Sequence, residues 1–214
     1  MIDVAVGGTV VTLLPDKAAW LPEHHTLLVA DLHLGKAMSF RRWGVAVPRG
    51  STSESLARLS VLIDRHQARR VVFLGDFLHS ARARAPATLQ VMTAWRERHA
   101  PVQLTLVRGN HDRHAGDPPA VLGIEGVEEP LRLGGLALCH HPQAVEGAYA
   151  VAGHLHPCVR VGAGLDRFRL PCFWFGKTTA VLPAFGSFTG MHRVQPEPGD
   201  HLVAVADGRL VPLS

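Results

Sequence analysis

Thr26-Leu27-Leu28-Val29-Ala30-Asp31-Leu32-His33 decides how the chain is read. The apolar run that opens it is what a strand buried on both faces requires, and it is too short for a helix of ordinary length. A carboxylate and an imidazole follow two positions apart, so one short loop can offer both to a single ion. The same arrangement recurs along the chain. Val71-Val72-Phe73-Leu74 runs into Gly75-Asp76, and Val102 to Val107 runs into Gly109-Asn110-His111-Asp112. Later, Leu136-Ala137-Leu138 precedes Cys139-His140, and Tyr149-Ala150-Val151-Ala152 precedes Gly153-His154-Leu155-His156.

Two helix patterns separate the first three runs. Ser51 to Arg70 carries Leu56, Leu59 and Ile63 at helical spacing, and Ser51 with Glu54 fits a capping box. Pro86 to His99 places Leu89, Met92 and Trp95 on one face. Strands alternating with helices imply βαβ units. The second half reads as mostly strand: hairpins at Gly134-Gly135 and Asp207-Gly208, with Arg167 to Phe175 and Ala180 to Pro183 between them. An α/β half joined to a β-rich half, α+β in part, predicts two stacked β-sheets flanked by helices. No repeat or linker divides the chain, so one domain over residues 1–214 is expected.

Composition removes other classes. Hydrophobic residues make up 47% of the 214 and charged ones 19%, enough apolar material for a sizeable core, so a disordered chain is excluded. No apolar stretch approaches the roughly 20 residues that cross a bilayer. Met1-Ile2-Asp3-Val4 does not open a secretory signal, so a cytoplasmic protein without membrane attachment is expected. Three cysteines with no Cys-x-x-Cys pair argue for free thiols rather than a disulfide framework or thiolate zinc site. Histidine, the commonest metal ligand, occurs 14 times.

Ligands bind at the carboxyl ends of strands in open α/β sheets, so these separated loops can share one cleft. Carboxylate, amide oxygen and imidazole together suit Mn, Fe or Zn. In order, Asp31-Leu32-His33, Gly75-Asp76, Gly109-Asn110-His111-Asp112, a lone His140 and Gly153-His154-Leu155-His156 resemble the calcineurin-like metallophosphoesterase superfamily. Lys36, Phe40-Arg41, Pro48, Leu182 to Gly186 and Phe188-Thr189-Gly190 extend the likeness to its bacterial DNA-ligase-associated (PdeM) branch. The resemblance implies a four-layer sandwich of two mixed sheets flanked by helices, and two divalent ions, Mn2+ first with Fe or Zn as alternatives. One ion would be held by Asp31, His33, Asp76 and His156, the other by Asp76, Asn110, His140 and His154, with Asp76 bridging. It implies in-line attack on phosphorus by a metal-bridging hydroxide, with His111 as proton donor to the leaving oxygen and Asp112 steadying the His111 ring.

Taken singly, His33, His154 or His156 would pass for an ordinary core or surface histidine, and only the ordered set points to metal. His141 competes with His140 for the lone position and matches it less well. His79, His114 and His192 read as loop histidines near the cleft. Arg41-Arg42-Arg49, Arg82-Arg84 and Arg108-Arg113 read as solvated surface by default. Their nearness to the metal loops, with a pI near 9.4, suits an anionic substrate, and Lys36, Arg41 and Arg108 are the candidate phosphate contacts. Phe173, Trp174 and Phe175 are expected in the core. The resemblance implies nuclease action on DNA in repair, functional association with a DNA ligase and a helicase, and a homodimer is expected on general grounds. A phosphoesterase of small nucleotides, cyclic nucleotides or phosphomonoesters is the alternative. A scaffold without activity would have eroded ligands, and here all are intact.

Overall fold

Val71 to Leu74, all buried, lie near the middle of a sheet in a computed structural model that describes residues 1–37, 51–162, 167–187 and 189–213. Seven strands form this first sheet among the described residues: β1 (Ile2–Val6), β2 (Thr9–Leu14), β3 (Ala18–Leu21), β4 (Thr26–Ala30), β5 (Arg70–Leu74), β6 (Gln103–Val107) and β7 (Ile124–Val127), side by side in chain order. β1 to β4 meander antiparallel, and β4 to β7 are parallel. The β1–β2 hairpin pairs Val6 with Thr9, leaving Gly7 and Gly8 as a two-residue turn with φ of 55° and 71°. Such a turn needs positive φ at both positions, and that is why two glycines stand there.

The parallel crossovers are helices α1 (Ser51–His66) and α2 (Pro86–Arg98). The helix expected to reach Arg70 stops at His66, because Gln67 turns left-handed (φ 49°) and the Ala68 amide returns to the Ile63 carbonyl at 3.0 Å. Arg70 is thereby released to open β5. Side chains alternate across the sheet with a period of two. Leu27, Val29, Val71, Phe73, Leu104 and Leu106 pack against Leu56, Leu59, Ile63, Met92 and Trp95 of the helices. Leu28, Ala30, Val72, Leu74 and Val107 face the other way.

That second face meets the second sheet through Leu136, Leu138, Val151, Phe173, Phe175 and Leu182. The second sheet runs β14 (His192–Arg193), β11 (Pro157–Val161), β12 (Phe168–Phe175), β13 (Thr179–Val181), β10 (Tyr149–Ala152), β9 (Leu136–Leu138) and β8 (Leu131–Leu133), with β15 (His201–Ala206) and β16 (Arg209–Leu213) added alongside β12. Its pairing is mixed, so the protein is two stacked mixed sheets, α+β overall. Helical cover is one-sided: among the described residues no α-helix follows α3 (Asn110–Ala115), and a small cluster around Val159, Cys172 and Val194 lies apart from the two larger cores. Cys139, Cys158 and Cys172 are free and buried. No described helix is long and apolar enough to cross a membrane.

Candidate active site

The polar loops leave β4, β5, β6, β9 and β10 at one edge of the sandwich, where the two sheets face each other. The chain turns sharply as each strand ends. Nine non-glycine residues have positive φ among the described residues, and five of them are Asp31 (53°), His33 (46°), Asp76 (51°), His154 (69°) and His156 (49°). Left-handed backbone on side-chain-bearing residues is unfavourable and gathers at functional sites. Gly75 (φ 78°) is constrained from outside: a Cβ there would lie 2.0 Å from His140 Nδ1.

Within this edge the side chains converge. His33 Nε2 lies 3.3 Å from His156 Nε2 and 3.7 Å from Asp76 Oδ2. His140 Nε2 lies 3.5 Å from Asp76 Oδ1, 2.9 Å from Asn110 Oδ1 and 3.1 Å from His154 Nδ1. Asp31 Oδ1 lies 3.5 Å from His156 Nε2 and 3.9 Å from His140 Nδ1. The two oxygens of Asp76 therefore face two different imidazole groups. All seven proposed ligands, Asp31, His33, Asp76, Asn110, His140, His154 and His156, fall in one cluster.

The donor set fits divalent cations. Asp31, Asp76 and His140 are 0%, 2% and 0% exposed, and buried carboxylates require a compensating charge or a metal. Burial lowers the Lys36 pKa against the opposing charge of Asp76 and Asp31, and one ammonium would not balance two carboxylates. Burial, and then nearby charges, lowers the proton affinity of His33 and His154, favouring the neutral ring that a ligand must be. Tautomers agree with this. His140 Nδ1 lies 3.0 Å from the Leu74 carbonyl oxygen and His156 Nδ1 lies 3.0 Å from that of Gly190, so each carries its proton on Nδ1 and aims an Nε2 lone pair into the cluster.

His111 and Asp112 are both at this edge, with a different division of labour from the one expected. His111 is edge-to-face with His33 at 5.0 Å, and its Nδ1 faces the His79 carbonyl oxygen at 3.0 Å. Asp112 instead accepts backbone N–H groups from Asp76 (2.7 Å), Phe77 (3.0 Å), Leu78 (3.4 Å) and Gly109 (3.0 Å). Its carboxylate is saturated, so it does not steady the His111 ring. That role falls to His79, which also stacks on His111 at 5.2 Å and 24°.

Residues missed in the sequence also gather here. His79, set aside as a loop histidine, forms a close trio with His33 and His111. Burial first, then Lys36 and His111, lowers its pKa to about 4. Glu129 receives the backbone N–H groups of His140 (2.8 Å) and His141 (2.9 Å), and its Oε1 lies 2.7 Å from His141 Nδ1. Burial alone would raise the Glu129 pKa, but these hydrogen bonds outweigh it and lower it. His141 in turn packs 4.6 Å from both His140 and His154. Nothing around Glu129 in the sequence marks it as a partner of the metal loops.

Of the three cationic candidates, one stands at the cluster. Lys36 follows His33 by three residues, and its amide donates to the His33 carbonyl at 3.2 Å. Arg41 lies outside the described residues. Arg108 is a correction: Nε and Nη2 bind Asp117 at 2.7 and 2.9 Å, and Nη1 reaches Glu128 at 3.3 Å. These carboxylates raise its pKa and occupy the fork that a phosphate would need.

Comparisons with known proteins agree with this geometry. The family model described as calcineurin-like phosphoesterase matches residues 24–141, more than half of the chain. A solved structure titled as Pseudomonas putida nuclease MPE is 42% identical, covers 99% of both chains and superposes with a TM-score of 0.88. YfcE, a phosphoesterase from E. coli, is 15% identical over 87% of this chain and 96% of its own, with a TM-score of 0.42. A Vps29 double mutant from Entamoeba histolytica is 14% identical over 88% and 99%, with a TM-score of 0.35. At those values neither bears on fold or function. No curated protein matches the chain. On its matched loops and its 42% identity across the full sandwich, the chain belongs to the calcineurin-like phosphoesterase family and is a metal-dependent hydrolase of phosphoester bonds.

Proposed function

We propose that the protein is a cytoplasmic nuclease acting on DNA, with single-stranded DNA as substrate, in a repair setting. One domain over residues 1–214 would hold two ions, Mn2+ in the first instance, one on Asp31, His33, Asp76 and His156, the other on Asp76, Asn110, His140 and His154. The observation that carries the reading is Asp76, whose two oxygens face separate imidazole groups as a bridging ligand must. Support for nucleic acid comes from the relative titled a nuclease.

When bound, a pair of divalent ions lowers the pKa of a water and neutralises phosphoryl charge. The remaining work belongs to side chains. His111, whose Nδ1 faces the His79 carbonyl, would give a proton to the leaving oxygen. Lys36 would meet the substrate's phosphate charge. Association with a DNA ligase and a helicase, and a homodimeric state, complete the reading; pull-down and light scattering test them.

The deciding experiment measures metal content as purified, then turnover with added Mn, Mg, Zn or Ca on single-stranded DNA, a chromogenic diester and a chromogenic monoester. DNA and diester cleavage supported best by Mn is the expected result. Activity on the monoester alone would overturn it.

A further inference from the structure

Lys17 stands on the turn between β2 and β3 and reaches across to the loop that follows β13. Its ammonium lies 3.4 Å from the Gly186 carbonyl oxygen, a long contact to a neutral acceptor. Among the described residues it has no carboxylate within 4.0 Å. Burial, and then the charge of Arg58, brings its pKa down to about 8. Arg58 itself sits 4.3 Å from the Phe185 ring centroid, and burial lowers its pKa against the opposing charge of Asp16 and Glu54. Lys17 is thus the cation of this pair without an anion.

Beside it opens a cavity of about 160 Å³, walled by Lys17, His156, Pro171, Ser187, Thr189 and Gly190 among others, with no Asp or Glu in its lining. His156 is common to the cavity and the metal cluster: Nε2 faces Asp31 at 3.5 Å, while Nδ1 faces the Gly190 carbonyl in the cavity wall. The wall is tied to the first metal loop, since the Phe185 and Gly186 amides donate to the carbonyls of Ala30 (2.8 Å) and Asp31 (3.1 Å). Gly186, Thr189 and Gly190 belong to the segment that the catalytic roles leave unused. The space is below the roughly 300 Å³ of small-molecule pockets. It has room for a tetrahedral anion.

We propose that this cavity is an anion subsite for the phosphate neighbouring the scissile one in a polynucleotide, with Lys17 as its charge partner and the Ser187 hydroxyl as a further donor. The inference rests on the nucleic-acid reading above. The competing role for Lys17 is a clamp holding the loop at Gly186 to the β2–β3 turn, which would affect every substrate equally.

The test compares wild type, Lys17→Ala and Lys17→Arg on a single-stranded oligonucleotide and on bis(p-nitrophenyl) phosphate, which has no neighbouring phosphate. Lys17→Ala is expected to lower the oligonucleotide-to-diester ratio of kcat/KM about tenfold, through KM, and Lys17→Arg to recover most of it. Oligonucleotide binding by the protein as purified, followed by fluorescence anisotropy across a salt series, is expected to lose about 0.7 from its log–log slope, one phosphate contact on a single strand. Lys17→Gln serves if the Ala variant does not fold. An unchanged ratio, whether both activities fall together or neither moves, overturns the subsite alone. Wild-type protein that hydrolyses the diester but neither binds nor cuts the oligonucleotide overturns the nuclease reading, and the subsite with it.

Discussion

The carboxylate of Asp112 holds the backbone of Asp76: Oδ2 accepts the Asp76 amide at 2.7 Å, and Oδ1 accepts the next amide, of Phe77, at 3.0 Å. A side chain from the loop after β6 thus shapes the loop after β5. Asp112 is 1% exposed, and burial raises its pKa against the opposing pull of the Gly109, Leu78 and Asp76 amides. Asp112→Ala would strand several buried N–H groups, at about 1–3 kcal/mol for each group left unsatisfied. We expect a loss of about 4 kcal/mol or more in urea denaturation, together with reduced metal content, because Asp76 loses its orientation. A fully metal-loaded variant of wild-type stability would contradict this.

Asp76 and His111 should separate by metal analysis. Asp76→Ala is expected to lose both bound metal and turnover. His111→Ala is expected to keep most of its metal while turnover falls about 10²–10⁴-fold, the range for a proton donor. Hydrolysis left intact in both variants would overturn the assignment of the site.

Gly75 tests the crowding behind the metal loops. A methyl group there would meet His140 Nδ1 at 2.0 Å on backbone with φ of 78°. Gly75→Ala should therefore displace His140 and reduce metal affinity, and both strain and clash should lower Tm. Calorimetry and metal titration read the two effects. Retention of both would show that β5 can shift at its end.

Away from the cluster, Ser60 Oγ lies 2.7 Å from His99 Nε2 in the layer between α1 and α2. Burial lowers the His99 pKa below its ordinary value of 6.5. The native state therefore binds this proton less readily than the unfolded chain. Its contribution to stability is complete above about pH 6.5 and is lost as pH falls toward the lower folded value. The difference in Tm between pH 7.5 and pH 5.5 should shrink in His99→Gln. An equal difference in both proteins would count against it.

Arg108→Ala should leave kcat/KM for the oligonucleotide within about twofold, since its fork is filled by Asp117 and Glu128. Those partners are largely exposed, so the stability cost should stay under about 1 kcal/mol. A tenfold kinetic loss would restore Arg108 as a substrate contact.

Much of the fold could be read directly. Leu27 to Ala30 and Val71 to Leu74 alternate between two cores, as continuous apolar runs in a covered parallel sheet must. Short strands such as β3, β7 and β11 are not legible in the sequence, because four or five residues carry little periodic signal of their own. Asp112 is next to His111 in the sequence, yet adjacency does not bring their side chains together. In the folded helix turn its side chain instead points back to the Gly109 amide and across to β5.

Sequence alone determined which chemical groups leave the strand ends and in what order, since the period-two pattern fixes where each strand stops and Asp, Asn or His follows. It could not determine which groups meet. Glu129, His79 and Lys17 each sit far along the chain, or in unmarked sequence, relative to the groups they serve. For His79 the distance is set by the neighbouring strands β5 and β6, and for Glu129 and Lys17 by stacking one sheet on the other. That stacking is decided by side-chain packing between Leu28, Leu74, Leu138, Val151 and Phe173, a property of the assembled core and not of any one segment.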